Sequence, residues 1–155
     1  MAAYTFFTNP MSRGQIARWA LHEVGAAYDQ VLVDWADKPA EFVRANPMGK
    51  VPTIIHRTEN GERVVTECAA ICAYLAEAHP EAGLLPSDSE LADYYRWMFF
   101  AAGPVEQAVI NRALKFELAP EQSRMAGYGK ISATQPAQHL CQGPCAISVI
   151  DNRGD

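Results

Sequence analysis

A hydroxyl, a carboxylate and a thiol stand at two places where this sequence should begin a helix. Ser12 opens the run Ser12-Arg13-Gly14-Gln15-Ile16, and Glu67-Cys68 opens a run that stays helical to His79. Helix N-termini present unpaired N–H groups and partial positive charge, so both places can hold an anion. Both also have plain structural readings. Ser12 with Gln15 forms a capping box, and Met11 with Ile16 a hydrophobic staple. Thr66 can cap the second helix, with Glu67 merely favouring its dipole. Between the two helices lies Lys50-Val51-Pro52, a cation followed by an X-Pro bond. A trans proline entering a strand and a solvated lysine are its ordinary readings. Cys68, Cys72, Cys141 and Cys145 show no metal or redox spacing, and no metal site is expected. His22, His56 and His79 look like surface or strand-end histidines and receive no role.

The elements that must position these residues follow from periodicity. Tyr4-Thr5-Phe6-Phe7-Thr8 is aromatic and β-branched, which suits a buried strand, and Asn9-Pro10 ends it. Residues 12–25 place Ile16, Trp19, Ala20 and Val24 at helical spacing, and Gly25 is a natural stop. Residues 28–34 read as a second strand, and 35–46 as a short helix or loop over the sheet. Residues 51–56 and 63–66 read as a third and fourth strand, with Asn60-Gly61 as the hairpin turn between them. Residues 67–79 are helical, with Ile71, Leu75 and Ala78 on one face, and Pro80 stops them. The order βαβ-α-ββα predicts an α/β fold on a mixed four-stranded sheet. Its first pair is parallel, because a crossover joins them, and its last pair is an antiparallel hairpin.

A polar stretch, 81–89, then separates two textures. From residue 90, Leu91, Tyr94, Tyr95, Met98 and Phe99 form an apolar stripe of helical spacing. Gly103-Pro104 should kink or interrupt that helix, and helical spacing resumes over 105–118. Tyr94, Tyr95, Trp97, Phe99 and Phe100 could line an apolar pocket, although plain core is the commoner use of such a stripe. Residues 130–155 hold no aromatic residue and no sustained period.

Bulk composition narrows the function. The chain has 155 residues, 49% of them hydrophobic and 20% charged, which fits a globular protein. A net charge of -5 gives no electrostatic reason to expect nucleic acid. No apolar run is long enough to span a bilayer, and the start lacks the basic residues of a secretory signal. A cytoplasmic protein with reduced thiols is the expectation.

Three runs together resemble one family. Asn46-Pro47-Met48-Gly49-Lys50-Val51-Pro52-Thr53-Ile54 is similar to the NP-x-G-x-VP-x-L signature of cytosolic glutathione S-transferases. Thr66-Glu67-Cys68-Ala69-Ala70-Ile71 is similar to the family's acidic-residue-plus-serine signature. Asn9-Pro10-Met11-Ser12-Arg13-Gly14 sits where bacterial members open their first helix. The resemblance covers about residues 4 to 129. It implies a thioredoxin-like glutathione-binding domain over 1–80, a linker over 81–89 and a partial all-α domain over 90–129. It further implies glutathione as co-substrate, a small hydrophobic electrophile as second substrate, and a homodimer.

Site roles carry over residue by residue. The resemblance implies a cis bond before Pro52, so that Val51 presents its main chain to glutathione's cysteinyl unit as an added strand would. It implies that Glu67 faces the ligand's ammonium and that Cys68 helps hold the γ-glutamyl carboxylate. Cys68 departs from the usual serine, and a thiol donates more weakly than a hydroxyl. Lys50, with Lys38 as a weaker version, would neutralise the glycyl carboxylate. Ser12 is the catalytic candidate, its hydroxyl donating to the glutathione sulfur, with Thr8 and Asn9 next in line.

The chain departs from the family after residue 129, where further helices are expected and 130–155 does not resemble them. That tail has the composition of a shifted reading frame or a truncated product. The apolar faces of residues 91–118 would then lack the helices that cover them. Two other functions stay open on this scaffold: a glutathione-dependent disulfide reductase, and a binding module without turnover.

Overall fold

The computed structural model describes residues 2–116 together with Ala119, Gln122 and Met125. The tail at 130–155, with Cys141 and Cys145, lies outside the described residues. The chain divides into two compact units, Met1–Met98 and Phe99–Asp155.

The first unit is built on a four-stranded sheet of order β2-β1-β3-β4, with β1 Tyr4–Thr8, β2 Tyr28–Leu32, β3 Thr53–Thr58 and β4 Gly61–Thr66. β1 pairs parallel with β2 and antiparallel with β3, and β3 pairs antiparallel with β4. This is the mixed sheet expected from the element order. β1 lies inside the sheet and is covered on both faces, so all five of its residues are buried and its sequence does not alternate. Tyr4 and Phe6 join Ile54 beneath helices α1, Gly14–Glu23, and α3, Cys68–Ala78. Phe7 and Ile55 face the other way and pack with Val33 and Phe42, the latter on the short helix α2, Ala40–Ala45.

Two local expectations are corrected. The hairpin turn lies one residue earlier than Asn60-Gly61. Thr58 pairs with Gly61, which leaves Glu59-Asn60 as the loop. Gly61 supplies the positive φ of 108°, and Thr58 Oγ1 accepts from the Asn60 N–H while donating to the Gly61 carbonyl. The inward face of α1 is only half the expected one. Val24 is buried and Ala20 packs against the core. Gly14, Ala17 and Leu21 complete that face, whereas Ile16 is 41% and Trp19 68% exposed. The cause is close approach: a Cβ at Gly14 would collide with Thr8 Oγ1, so the helix start runs too near β1 for a bulky residue. The Trp19 indole N–H is satisfied outside, donating to Glu23 at 2.7 Å.

At the far end of β1 two histidines grip Tyr4. The Glu81 carboxylate can only accept, so His79 Nδ1 carries the proton at 3.1 Å from it, and His79 Nε2 accepts from the Tyr4 hydroxyl at 2.9 Å. Burial, reinforced by Tyr74 and Glu81, pushes the Tyr4 phenol up to about 12, so it remains a donor. His56 stacks on the Tyr4 ring at 4.1 Å and pairs through Nδ1 with the Tyr74 hydroxyl at 2.7 Å. Burial, then the neighbouring His79 ring and Arg63 guanidinium, hold His56 below its usual range. A histidine depressed in the native state binds fewer protons there than in the unfolded chain. Its contribution is therefore complete well above pH 6.5 and is lost as pH falls below that value toward the native pKa. The melting temperature should drop between pH 7.5 and 5.5, and His56→Asn should narrow the drop. An unchanged drop in that variant would refute the assignment.

The second texture begins with helix α4, Leu91–Phe100, followed by a π-helical turn, Ala101–Val105, and helix α5, Glu106–Ala113. Gly103-Pro104 thus falls within one widened turn, a common adjustment where proline removes a backbone donor. No residue of α4 is buried, so the aromatic stripe is not core among the described residues.

Candidate functional site

Strand register brings the chemistry-bearing residues to one end of the sheet. Phe7 lies opposite Thr53, and Thr53 lies opposite Thr66. The chain therefore leaves β1 into residues 9–12, enters β3 through 46–52 and leaves β4 into 67–68, all at the same edge. The starts of α1 and α3 meet there: the Cys68 thiol donates to the Arg13 carbonyl at 3.5 Å. Two helix N-termini so placed make this end of the sheet electropositive.

Ser12 does not form the expected capping box. Its hydroxyl donates to the Asn9 carbonyl at 2.6 Å and accepts from the Gly14 N–H at 3.1 Å. The Gln15 amide reaches the Pro10 carbonyl instead. Met11 is 92% exposed, so no staple with Ile16 forms. The reason is the local turn. The chain stays helical in φ and ψ at Arg13 and starts α1 two residues after Ser12, out of reach of a reciprocal box. Thr8 is buried against Gly14, and both polar atoms of the Asn9 side chain are engaged with backbone. Ser12 therefore stands at this edge as a half-buried hydroxyl.

The bond between Val51 and Pro52 is cis, as the resemblance implies. Pro52 is buried and Val51 half-buried. Among the described residues nothing pairs with the Val51 N–H or carbonyl. The loop before it is organised by Asn46, whose role the sequence reading missed. Its amide nitrogen donates to the Lys50 carbonyl at 2.9 Å and to Thr53 Oγ1 at 3.1 Å, and its Oδ1 accepts from the Met48 N–H at 3.2 Å. Thr53 Oγ1 also donates to the Lys50 carbonyl. The signal was present: an asparagine before proline at a strand entry is a turn former that bonds its own backbone two residues on. Lys50 is exposed on this loop. Lys38 comes to it from a distance in sequence, since a side chain at Gly49 would meet the Lys38 ammonium at 2.9 Å.

Glu67 is exposed and caps α3 from an unusual backbone conformation, φ 65° and ψ 128°. Such a conformation costs a non-glycine residue about 1–3 kcal/mol and clusters at functional sites. No side-chain cap hydrogen bond forms at this helix start, so the expected capping by Thr66 is absent. Among the described residues, no group of three or more His, Cys, Asp or Glu side chains could hold a metal ion, and no helix is long and apolar enough to cross a membrane.

Comparison with known proteins gives this arrangement a lineage. Residues 2–77 match the family model for the glutathione S-transferase N-terminal domain. The chain is 38% identical over 74 residues to glutathione S-transferase 1 of Dianthus caryophyllus, covering 46% of this chain and 32% of that one. It is 34% identical over 88 residues to a zeta-class glutathione S-transferase of Euphorbia esula, covering 55% and 36%. Among solved structures it resembles a sphingomonad glutathione S-transferase complexed with glutathione, at 30% identity and a TM-score of 0.57 over 79% of this chain and 62% of that one. A glutathione transferase homologue from Sulfitobacter with bound glutathione matches at 27% identity and a TM-score of 0.56, over 78% and 60%. The matched span is a quarter to about a third of the length of the curated relatives. Through residues 2–77, the chain belongs to the glutathione S-transferase N-terminal domain family.

Proposed function

We propose that this chain binds glutathione at the edge where residues 9–12, 46–52 and 67–68 meet, and that it transfers the glutathione thiolate to small hydrophobic electrophiles. The observation that carries the proposal is Val51, whose main-chain N–H and carbonyl are unpaired among the described residues at the entrance to β3. A half-buried peptide group left without partners is costly unless a ligand completes it. The cysteinyl backbone of glutathione supplies one acceptor and one donor, as an added strand would. The γ-glutamyl carboxylate then meets the α3 N-terminus at Cys68, its ammonium meets Glu67, and the glycyl carboxylate meets Lys50 or Lys38. Ser12 turns its hydroxyl from the Asn9 carbonyl to the sulfur. The thiol proton leaves to solvent, a sulfur–carbon bond forms, and the electrophile's leaving group departs with its electron pair. In this reading residues 1–80 are the glutathione domain, 81–89 the linker and 90–129 the opening of a helical domain. The same reading makes the protein cytoplasmic and homodimeric.

Calorimetric titration of glutathione into folded, monodisperse protein tests the proposal. Saturable one-site binding is expected, and N-acetylated glutathione should bind at least tenfold more weakly because its amine no longer pairs with Glu67. A flat glutathione titration overturns the proposal.

A further inference from the structure

The two Asn-Pro-Met tripeptides of this chain, Asn9-Pro10-Met11 and Asn46-Pro47-Met48, fold into the same turn. In each, the asparagine Oδ1 accepts the methionine N–H, at 2.9 Å for Met11 and 3.2 Å for Met48. In each, the asparagine carbonyl accepts the N–H of the next residue, Ser12 at 3.1 Å and Gly49 at 2.8 Å. In each, the asparagine Nδ2 donates to a main-chain carbonyl beyond the turn, Val33 at 3.0 Å and Lys50 at 2.9 Å. One turn sets Val51; the other sets Ser12. The Asn9 carbonyl adds a feature the second turn lacks, because it also accepts the Ser12 hydroxyl at 2.6 Å.

We infer that Asn9 is a positioning residue for Ser12, pinning the 9–12 turn to the end of β2 and holding the Ser12 hydroxyl in a resting orientation one rotation from the thiol. This rests on the proposed glutathione site. Asn9 does not reach the sulfur in place of Ser12, since its Oδ1 and Nδ2 are both committed to backbone. Val33 in turn is locked to the sheet, its N–H donating to the Thr8 carbonyl at 2.8 Å. The pin therefore runs from a rigid, buried residue to a hydroxyl at the edge, which is how a reactive group is held to a fraction of an ångström. The Asn9 carbonyl keeps the Ser12 N–H when the hydroxyl swings away, so the rotation leaves no buried acceptor empty.

The test is the pKa of glutathione bound to the full chain, read from thiolate absorbance, in Asn9→Ala, Ser12→Ala and the double variant. Asn9→Ala is expected to raise that pKa by about one unit, roughly tenfold less thiolate, with the glutathione dissociation constant changed less than about threefold. The double variant should match Ser12→Ala alone, because both changes act on one hydroxyl. If Asn9→Ala does not fold, Asn9→Ser serves: its hydroxyl can still accept the Met11 N–H, it no longer reaches the Val33 carbonyl, it adds no charge, and it should raise the pKa by a smaller amount. Additive shifts in the double variant, or an unmoved pKa in the Asn9 variant while Ser12→Ala shifts it, overturn the inference. An unmoved pKa in Ser12→Ala instead strikes the role of Ser12 itself.

Discussion

Ser12→Ala should reduce kcat/KM for conjugation about 100-fold and raise the pKa of bound glutathione by about two units, while glutathione affinity at or below about pH 6.5, where the bound thiol is largely protonated, changes less than about threefold. A free thiol ionises near pH 8.5, so thiolate chemistry at neutral pH needs a shift of about two units, or about 2.7 kcal/mol. Two sources are on the molecule. A hydroxyl donating to the thiolate is a charge-assisted hydrogen bond of about 1.5–3 kcal/mol. The start of α1, two residues beyond Ser12, adds about 0.3–1 kcal/mol of dipole stabilisation. Against these stands the bond from the Ser12 hydroxyl to the Asn9 carbonyl, which must be given up and is worth about 1 kcal/mol net. The hydroxyl term dominates, and alanine removes it while leaving the helix in place. Affinity is spared because the proposed grip on the tripeptide lies at Val51 and Glu67. Alanine also orphans the Gly14 N–H, so a stability loss of about 0.5–2 kcal/mol should accompany the variant. Thiolate absorbance against pH and steady-state rates with a generic electrophile separate the two effects. An unshifted thiol pKa would remove Ser12 from the mechanism.

Which parts of this design were legible beforehand follows from where the information sits. Element types were written locally. Tyr4-Thr5-Phe6-Phe7-Thr8 has no alternation because both faces of β1 are covered, and the parallel pairing of β1 with β2 and the hairpin of β3 with β4 followed from the lengths of their connections. The three signature runs marked one candidate site because each lies at a strand exit or entry, and register then had to bring them together. What escaped was set by tertiary contact. Ile16 and Trp19 read as core by hydrophobicity, yet close packing of Gly14 on Thr8 turned the smaller residues inward. His56 and His79 read as surface or strand-end histidines, because nothing near them in sequence shows that both meet Tyr4. Lys38 joined the loop at Gly49 only through the path of α2 over the sheet. Asn9 and Asn46 were readable as turn formers, but that one fixes Ser12 and the other Val51 depended on the Val33 and Lys50 carbonyls they reach.

Glu67→Gly should make the protein more stable and nearly blind to glutathione. At φ 65° and ψ 128° Glu67 occupies the left-handed half of the backbone map, where a Cβ costs about 1–3 kcal/mol. Glycine relieves that cost and returns about 0.5–1 kcal/mol through greater freedom of the unfolded chain. A net gain of about 1 kcal/mol, some 4–8 °C in melting temperature for a domain of this size, is expected. Nothing is lost in the fold, because the Glu67 side chain pairs with no other described residue and its carbonyl still accepts the Ile71 N–H at 2.9 Å. Binding responds in the opposite sense. The carboxylate paired with the ligand's ammonium is a charge-assisted contact of about 1.5–3 kcal/mol, so affinity should fall about 10- to 150-fold. Glu67→Ala separates the two terms: it should lose the same affinity yet gain no stability, because alanine keeps the Cβ. The conformation would then be one that a glutathione-binding chain retains at the expense of its own stability, because only that backbone aims the carboxylate outward while the α3 N–H groups face the ligand. Calorimetric titration and thermal melts of the two variants decide it. A glycine variant that binds glutathione as tightly as the parent would show that Glu67 holds its conformation for some other reason.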